Sequence, residues 1–175
     1  MLLDENPTGK GYSLWLVPSE PAHSLLAGVI SRLGRDHSAP RFEPHITLLG
    51  GIALQDRKAM AKLDSLARIL EPVKVELGEI GFLDEYFRCL FVTVIAGSSL
   101  SSARRAACRV FARQNTPFMP HVSLLYGKLP VEMKHEIAAG LNSLSGQTFQ
   151  VRRLALYKVS GSVHQWKCIK TFTLK

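Results

Sequence analysis

Apolar positions along the chain fall into two rhythms. Residues 11–17 (GYSLWLV) form a short aromatic and aliphatic run closed by Pro18, which predicts a strand. Leu25, Leu26, Val29, Ile30 and Leu33 then recur at helical spacing and predict a helix over residues 20–35. A strand around residues 42–51 follows, then a helix over 56–70 with Asp56 as its N-cap, Met60, Leu63, Ala67 and Leu70 on one face, and Pro72 ending it. Two strands, 73–83 and 87–96, flank the turn at Asp84-Glu85-Tyr86. Beyond residue 97 the order recurs. It comprises a helix over 98–114, a strand around 118–127, a helix over 131–144 whose stripe is Met133, Ile137, Leu141 and Leu144, and strands over 147–159 and 164–174.

The recurrence is also written in the residues. FEPHITLLGG at 42–51 and FMPHVSLLYG at 118–127 are identical at six of ten positions. Each copy holds one His followed two residues later by a hydroxyl. A strand's side chains alternate, so His45 shares a face with Thr47, and His121 shares a face with Ser123. Ile46, Leu48, Val122 and Leu124 are left for the core. The pattern predicts an α+β protein built as a duplicated, bilobal unit over residues 1–175, a single domain with one H-x-T/S motif per lobe.

Composition narrows the setting. No apolar stretch approaches the roughly 20 residues of a membrane helix, and the first twelve residues lack the basic-then-apolar order of a signal peptide. A cytoplasmic or nuclear protein with no membrane association is expected. Lys and Arg exceed Asp and Glu by 22 to 14, spread along the chain without a basic tail, which suits an anionic substrate. The three cysteines, Cys89, Cys108 and Cys168, show no paired spacing and read as buried free thiols.

Two imidazoles and two hydroxyls suffice for one kind of chemistry. In-line hydrolysis of a phosphodiester needs a base on the attacking water and an acid on the departing oxygen, and imidazole serves either role near neutral pH. Thr47 and Ser123 would donate to the non-bridging oxygens. Neither copy supplies a third or fourth metal ligand, and Glu43 is matched by Met119, so no metal or other cofactor is expected. A serine nucleophile is disfavoured, because no G-x-S-x-G turn surrounds Ser123. Phe87, Tyr86 and Trp166 are candidates to stack on a base, and Arg88 or Arg41 to neutralise phosphate. His23, His37, His135 and His164, outside the repeated frame, read as solvent-exposed.

His45-Ile46-Thr47-Leu48 and His121-Val122-Ser123-Leu124, one in each half of the chain, resemble the paired motifs of the 2H phosphoesterase superfamily, and within it the plant and fungal cyclic phosphodiesterases. YSLWLVP at 12–18, YFRCLFV at 86–92 and LYKVSGSVHQW at 156–166 extend the likeness over most of the chain. The resemblance implies two antiparallel sheets with flanking helices, facing one another across a central cleft. It implies catalytic roles for His45 and His121, substrate contacts from Thr47 and Ser123, and a phosphate or sugar contact from Tyr126, whose counterpart in the first motif is Gly50. The implied reaction, downstream of tRNA splicing, opens ADP-ribose 1″,2″-cyclic phosphate to the 1″-phosphate and nucleoside 2′,3′-cyclic phosphates to 2′-phosphates. The expected partner is thus a small nucleotide cyclic phosphate, met by a monomer. The alternatives are a superfamily enzyme acting on RNA ends or 2′-5′ linked oligonucleotides, and a non-catalytic RNA- or nucleotide-binding module. Because Ser123 and Tyr126 add polar groups beside the second motif, His121 is expected as the base and His45 as the acid.

Overall fold

The computed structural model describes residues 7–175, so residues 1–6, part of the segment judged against a signal peptide, lie outside it. Four helices and seven strands follow the predicted order: β1 (Tyr12–Pro18), α1 (Ala22–Asp36), β2 (Ile46–Ile52), α2 (Asp56–Ala67), β3 (Val73–Gly81), β4 (Leu90–Ile95), α3 (Ser98–Val110), β5 (His121–Leu125), α4 (Val131–Ala139), β6 (Thr148–Lys158) and β7 (Lys167–Thr173). No helix among the described residues is long and apolar enough to cross a membrane.

The strands pair antiparallel in the order β1-β2-β5-β4-β3-β6-β7, and β1 pairs in addition with β6. The two expected sheets are therefore one, closed into a ring of six strands with β7 on the outside of β6. Closure depends on the length of β6. Its 11 residues bind β3 through Thr148 to Val151 and β1 through Val151 to Lys158, reaching both halves. The halves meet at two seams. Ile46 opposes Val122 at one and Lys74 opposes Gln150 at the other; both pairs span the same interval of sequence that separates His45 from His121, as a pseudo-twofold relation between the repeats requires.

Strand alternation sorts the side chains between the two faces of the ring. Leu14, Leu16, Ile46, Leu48, Leu90, Val92, Val122, Leu124, Leu154 and Leu156 turn to one face and join Leu26, Leu33, Leu63, Leu66, Leu100 and Ala107 of the helices in the main core. Full burial of a side chain of this size contributes about 1.5–3 kcal/mol. Trp15, Val17, Ala155 and Val159 form a separate small cluster with Tyr157 and Trp166. That second face carries the site.

Several local expectations are corrected. Asp56 is the first residue of α2 rather than its cap, which is Gln55; the Asp56 carboxylate instead accepts from the Tyr12 hydroxyl and lies 3.7 Å from Lys158. The helix predicted over 131–144 stops at Gly140, and a separate 3₁₀ turn, Asn142–Leu144, follows. Its stripe is split accordingly: Leu141 and Leu144 are buried, Met133 is exposed, and the buried residue of α4 is Lys134, whose Nζ donates to the Leu83 carbonyl at 2.9 Å. The strand predicted from Phe87 begins at Leu90, because Tyr86–Arg88 form a 3₁₀ turn whose Phe87 carbonyl accepts from Ser123. All three cysteines are free as expected, and Cys89 and Cys108 are buried, but Cys168 is exposed on β7, the strand outside the ring.

Candidate active site

His45 stands immediately before β2 and His121 opens β5, and the two strands pair at the next residue, Ile46 against Val122. Antiparallel register continued one step from that pair sets His45 opposite Ser123 and Thr47 opposite His121. Each imidazole is held in the same way. Nδ1 of His45 donates to the Glu43 carbonyl at 2.6 Å, and Nδ1 of His121 donates to the Met119 carbonyl at 3.0 Å. A carbonyl only accepts, so Nδ1 carries the proton in both neutral rings and Nε2 holds the lone pair. The proline before each His leads the chain in so that the carbonyl two residues back reaches the ring.

All five residues singled out from the sequence, His45, Thr47, His121, Ser123 and Tyr126, line one cavity of about 500 Å³. Phe87, Arg88 and Trp166 line it too, with Lys10, Ser13 and Trp15. None of its lining residues among those described is Asp or Glu. Tyr86 lines two other hollows instead, and Arg41 one of them. Arg88 is engaged by the Glu85 carboxylate at 2.6 Å, so its charge is partly spent. Of the histidines outside the frame, His135 and His164 are exposed and His37 is half-buried, whereas His23 is half-buried and bound to Glu43 at 3.0 Å.

The two motifs differ in their surroundings. His45 is 6% exposed and its ring lies flat on the Trp15 indole, with centroids 3.6 Å apart and planes 7° apart. Burial, opposed by the Glu43 carbonyl, pulls its pKa to about 4. His121 is partly exposed, and burial lowers its pKa against the pull of the Met119 carbonyl. Thr47 is half-buried and its hydroxyl meets no protein partner among the described residues, while Ser123 Oγ donates to the Phe87 carbonyl at 3.1 Å. Tyr126 stacks on Phe42 at 3.8 Å, and burial raises its hydroxyl well above the ordinary phenol range. The Ser123 hydroxyl of the second motif is thus already occupied by the backbone.

Sequence reasoning missed Trp15, Phe42, Lys10 and Ser13. The indole of Trp15 is fixed in its plane by Nε1 donating to Ser13 Oγ at 2.8 Å. A signal for Trp15 was available: Phe91 follows it at the same interval that relates the two histidines.

A closed antiparallel sheet carrying two anchored histidines and two hydroxyls on one face defines the 2H class of phosphoesterases. A family model for the 2′-5′ RNA ligase superfamily matches residues 17–162, and the chain belongs to that superfamily. It is similar to the cyclic phosphodiesterase of Arabidopsis thaliana, with 30% identity over 152 residues, 84% of either chain. The fold is shared with solved structures of E. coli LigT, complexed with 3′-AMP (TM-score 0.61, 15% identity, covering 95% of this chain and 99% of that one) and with ATP (0.62, 16%, 95% and 99%). It is shared also with TT0787 of Thermus thermophilus (0.59, 17%, 94% and 97%).

Proposed function

We propose that the protein hydrolyses ribose cyclic phosphates without a metal, taking ADP-ribose 1″,2″-cyclic phosphate to the 1″-phosphate and nucleoside 2′,3′-cyclic phosphates to 2′-phosphates. One observation carries this reading: two imidazoles with matching Nδ1 anchors line a single cavity, of nucleotide size and without carboxylates among its described lining residues, that also holds two motif hydroxyls. A phosphate bound between them, once its negative charge has drawn a proton onto Nε2 of one ring, would meet a proton donor on one side and an acceptor on the other. The similarity to a cyclic phosphodiesterase supports the same substrate class.

For a 2′,3′-cyclic phosphate, water forms a bond to phosphorus as the bond to O3′ breaks. The water proton passes to Nε2 of His121, and Nε2 of His45 gives its proton to O3′, leaving a 2′-phosphate and a free 3′-hydroxyl. The assignment of His121 as base rests here on access rather than on neighbouring hydroxyls. Solvent reaches the partly exposed ring of β5 before the buried ring of His45. Thr47, with its free hydroxyl, donates to a non-bridging oxygen; Ser123 does so on releasing the Phe87 carbonyl. Phe87, Trp166 and Tyr126 wall the space for the base. Incubation with 2′,3′-cyclic nucleotides and ADP-ribose cyclic phosphate, with and without EDTA, tests the reading. Undiminished turnover under EDTA is expected, because no three His, Cys, Asp or Glu side chains among the described residues cluster as a metal site requires. Loss under EDTA with recovery on adding zinc or magnesium would refute it.

A second reading has its own observation. A hollow of about 230 Å³ shares Tyr126 with the cavity, and one of about 390 Å³ shares Tyr86 with the first; together they carry His37, Lys128, Arg41 and His164, with no carboxylate among their described lining residues. They suit a further nucleotide, and so an RNA end. A higher kcat/KM for a cyclic-phosphate-ended trinucleotide than for the mononucleotide would favour it.

A further inference from the structure

The duplication extends beyond the motifs to the strands beside them, and there the halves diverge. Trp15 opposes Thr47 across the β1–β2 ladder; Phe91, its counterpart in the second half, opposes Ser123 across β4–β5. Each aromatic therefore lies beside the His of its own half. The Trp15–His45 rings are flat on each other, whereas Phe91 and His121 are 5.1 Å apart and tilted by 56°. The cause lies one layer back. Tyr157 stacks on the far face of Trp15 at 3.7 Å, while the position that precedes it by the repeat interval is Gly81. Gly81 opposes Phe91 in the β3–β4 ladder, and a Cβ there would stand 2.7 Å from the Phe91 ring. One aromatic is pressed onto its imidazole by a tyrosine; the other has sunk onto a glycine and away from its imidazole.

We propose that Trp15, backed by Tyr157, is a positioning residue that holds the His45 imidazole flat and favours its protonated form, so that the first motif supplies the acid while Phe91, drawn onto Gly81, leaves His121 to serve as base. The inference rests on the two-histidine hydrolysis proposed above. Both faces of Trp15 are filled, so it is not a platform for the substrate's base. An aromatic face attracts a cation most strongly where water is excluded, and Trp15 is buried. Apart from the Glu43 carbonyl, which accepts from Nδ1, the other groups around His45 do not favour a proton. His121, Lys10 and Arg88 line the same cavity, and the Glu43 carboxylate is held by His23 at 3.0 Å and Arg153 at 3.4 Å. Tyr126 and Tyr157 present neutral hydroxyls, raised by burial. The indole face thus opposes the desolvation that empties His45 of its proton, and the incoming phosphate completes the effect.

The test compares wild type with Trp15→Leu, Trp15→Phe and Tyr157→Leu. Imidazole titration by NMR should show the His45 midpoint falling by about one pH unit in Trp15→Leu, less in Trp15→Phe and Tyr157→Leu, with His121 little moved. On 2′,3′-cyclic nucleotides, Trp15→Leu should lower kcat/KM by about tenfold, and Trp15→Phe should recover most of it. On bis(4-nitrophenyl) phosphate, whose leaving group needs no acid, the loss should largely vanish. Unmoved midpoints in both Trp15→Phe and Tyr157→Leu, or an equal loss on both substrates, would overturn the inference. Failure of the wild type to open any cyclic phosphate would refute the hydrolysis instead, and the titration would still decide the role of Trp15.

Discussion

Burial of His45 makes acid destabilise this fold by a predictable amount. Desolvation takes its pKa from 6.5 to about 4, and a shift of that size corresponds to about 3 kcal/mol between the two protonation states. The ring is 6% exposed, so screening by solvent takes little from this figure. In the unfolded chain His45 accepts a proton as pH falls through about 6.5, while the folded state declines it until about 4. The contribution to stability is therefore complete above 6.5 and is lost on acidification at about 1.4 kcal/mol per pH unit within that window. The indole of Trp15 recovers part of the shift, which sets about 3 kcal/mol as the upper bound. Urea unfolding at pH 7.0 and 4.5 measures it, with His45→Gln as the comparison because that side chain fills the site without titrating. The wild type should lose about 2–3 kcal/mol more than the variant between the two pH values. Equal losses, or a His45 midpoint at 6.5 or above by NMR, would refute the desolvation argument.

The lowered pKa values of both rings should centre the kcat/KM bell below pH 6.5; a maximum above 7 would contradict it. His45→Ala and His121→Ala should each lower turnover by about 10²–10⁴, with a double variant losing less than the product; a substrate with a good leaving group should partly rescue His45→Ala alone. Lys134→Met should remove the side-chain donor to the Leu83 carbonyl, costing about 1–3 kcal/mol by thermal unfolding and raising KM more than it lowers kcat, because the chain from Leu83 to Arg88 carries two cavity residues. Ser123→Ala should weaken the same segment by freeing the Phe87 carbonyl, whereas Thr47→Val should leave stability within about 0.5 kcal/mol and act on turnover alone.

Local pattern was sufficient for the element order, because period-two and 3.6-residue repeats are properties of short windows. It was sufficient also for the convergence of His45, Thr47, His121 and Ser123, since a duplicated strand in a duplicated frame places equivalent side chains on equivalent faces. Three matters were decided only by tertiary packing. The ring closed because β6 is long enough to pair with β3 and β1 in turn, which joins Tyr12 to Lys158 across a separation that no window contains. Lys134 was buried because its Nζ finds the Leu83 carbonyl from a distant loop. The inequality of the two histidines arose from a third layer, Tyr157 behind Trp15 in one half and Gly81 behind Phe91 in the other. Matching motifs fix which groups meet; the depth of burial and the ring lying against each imidazole, set by residues on neighbouring strands, determine how readily each one takes a proton.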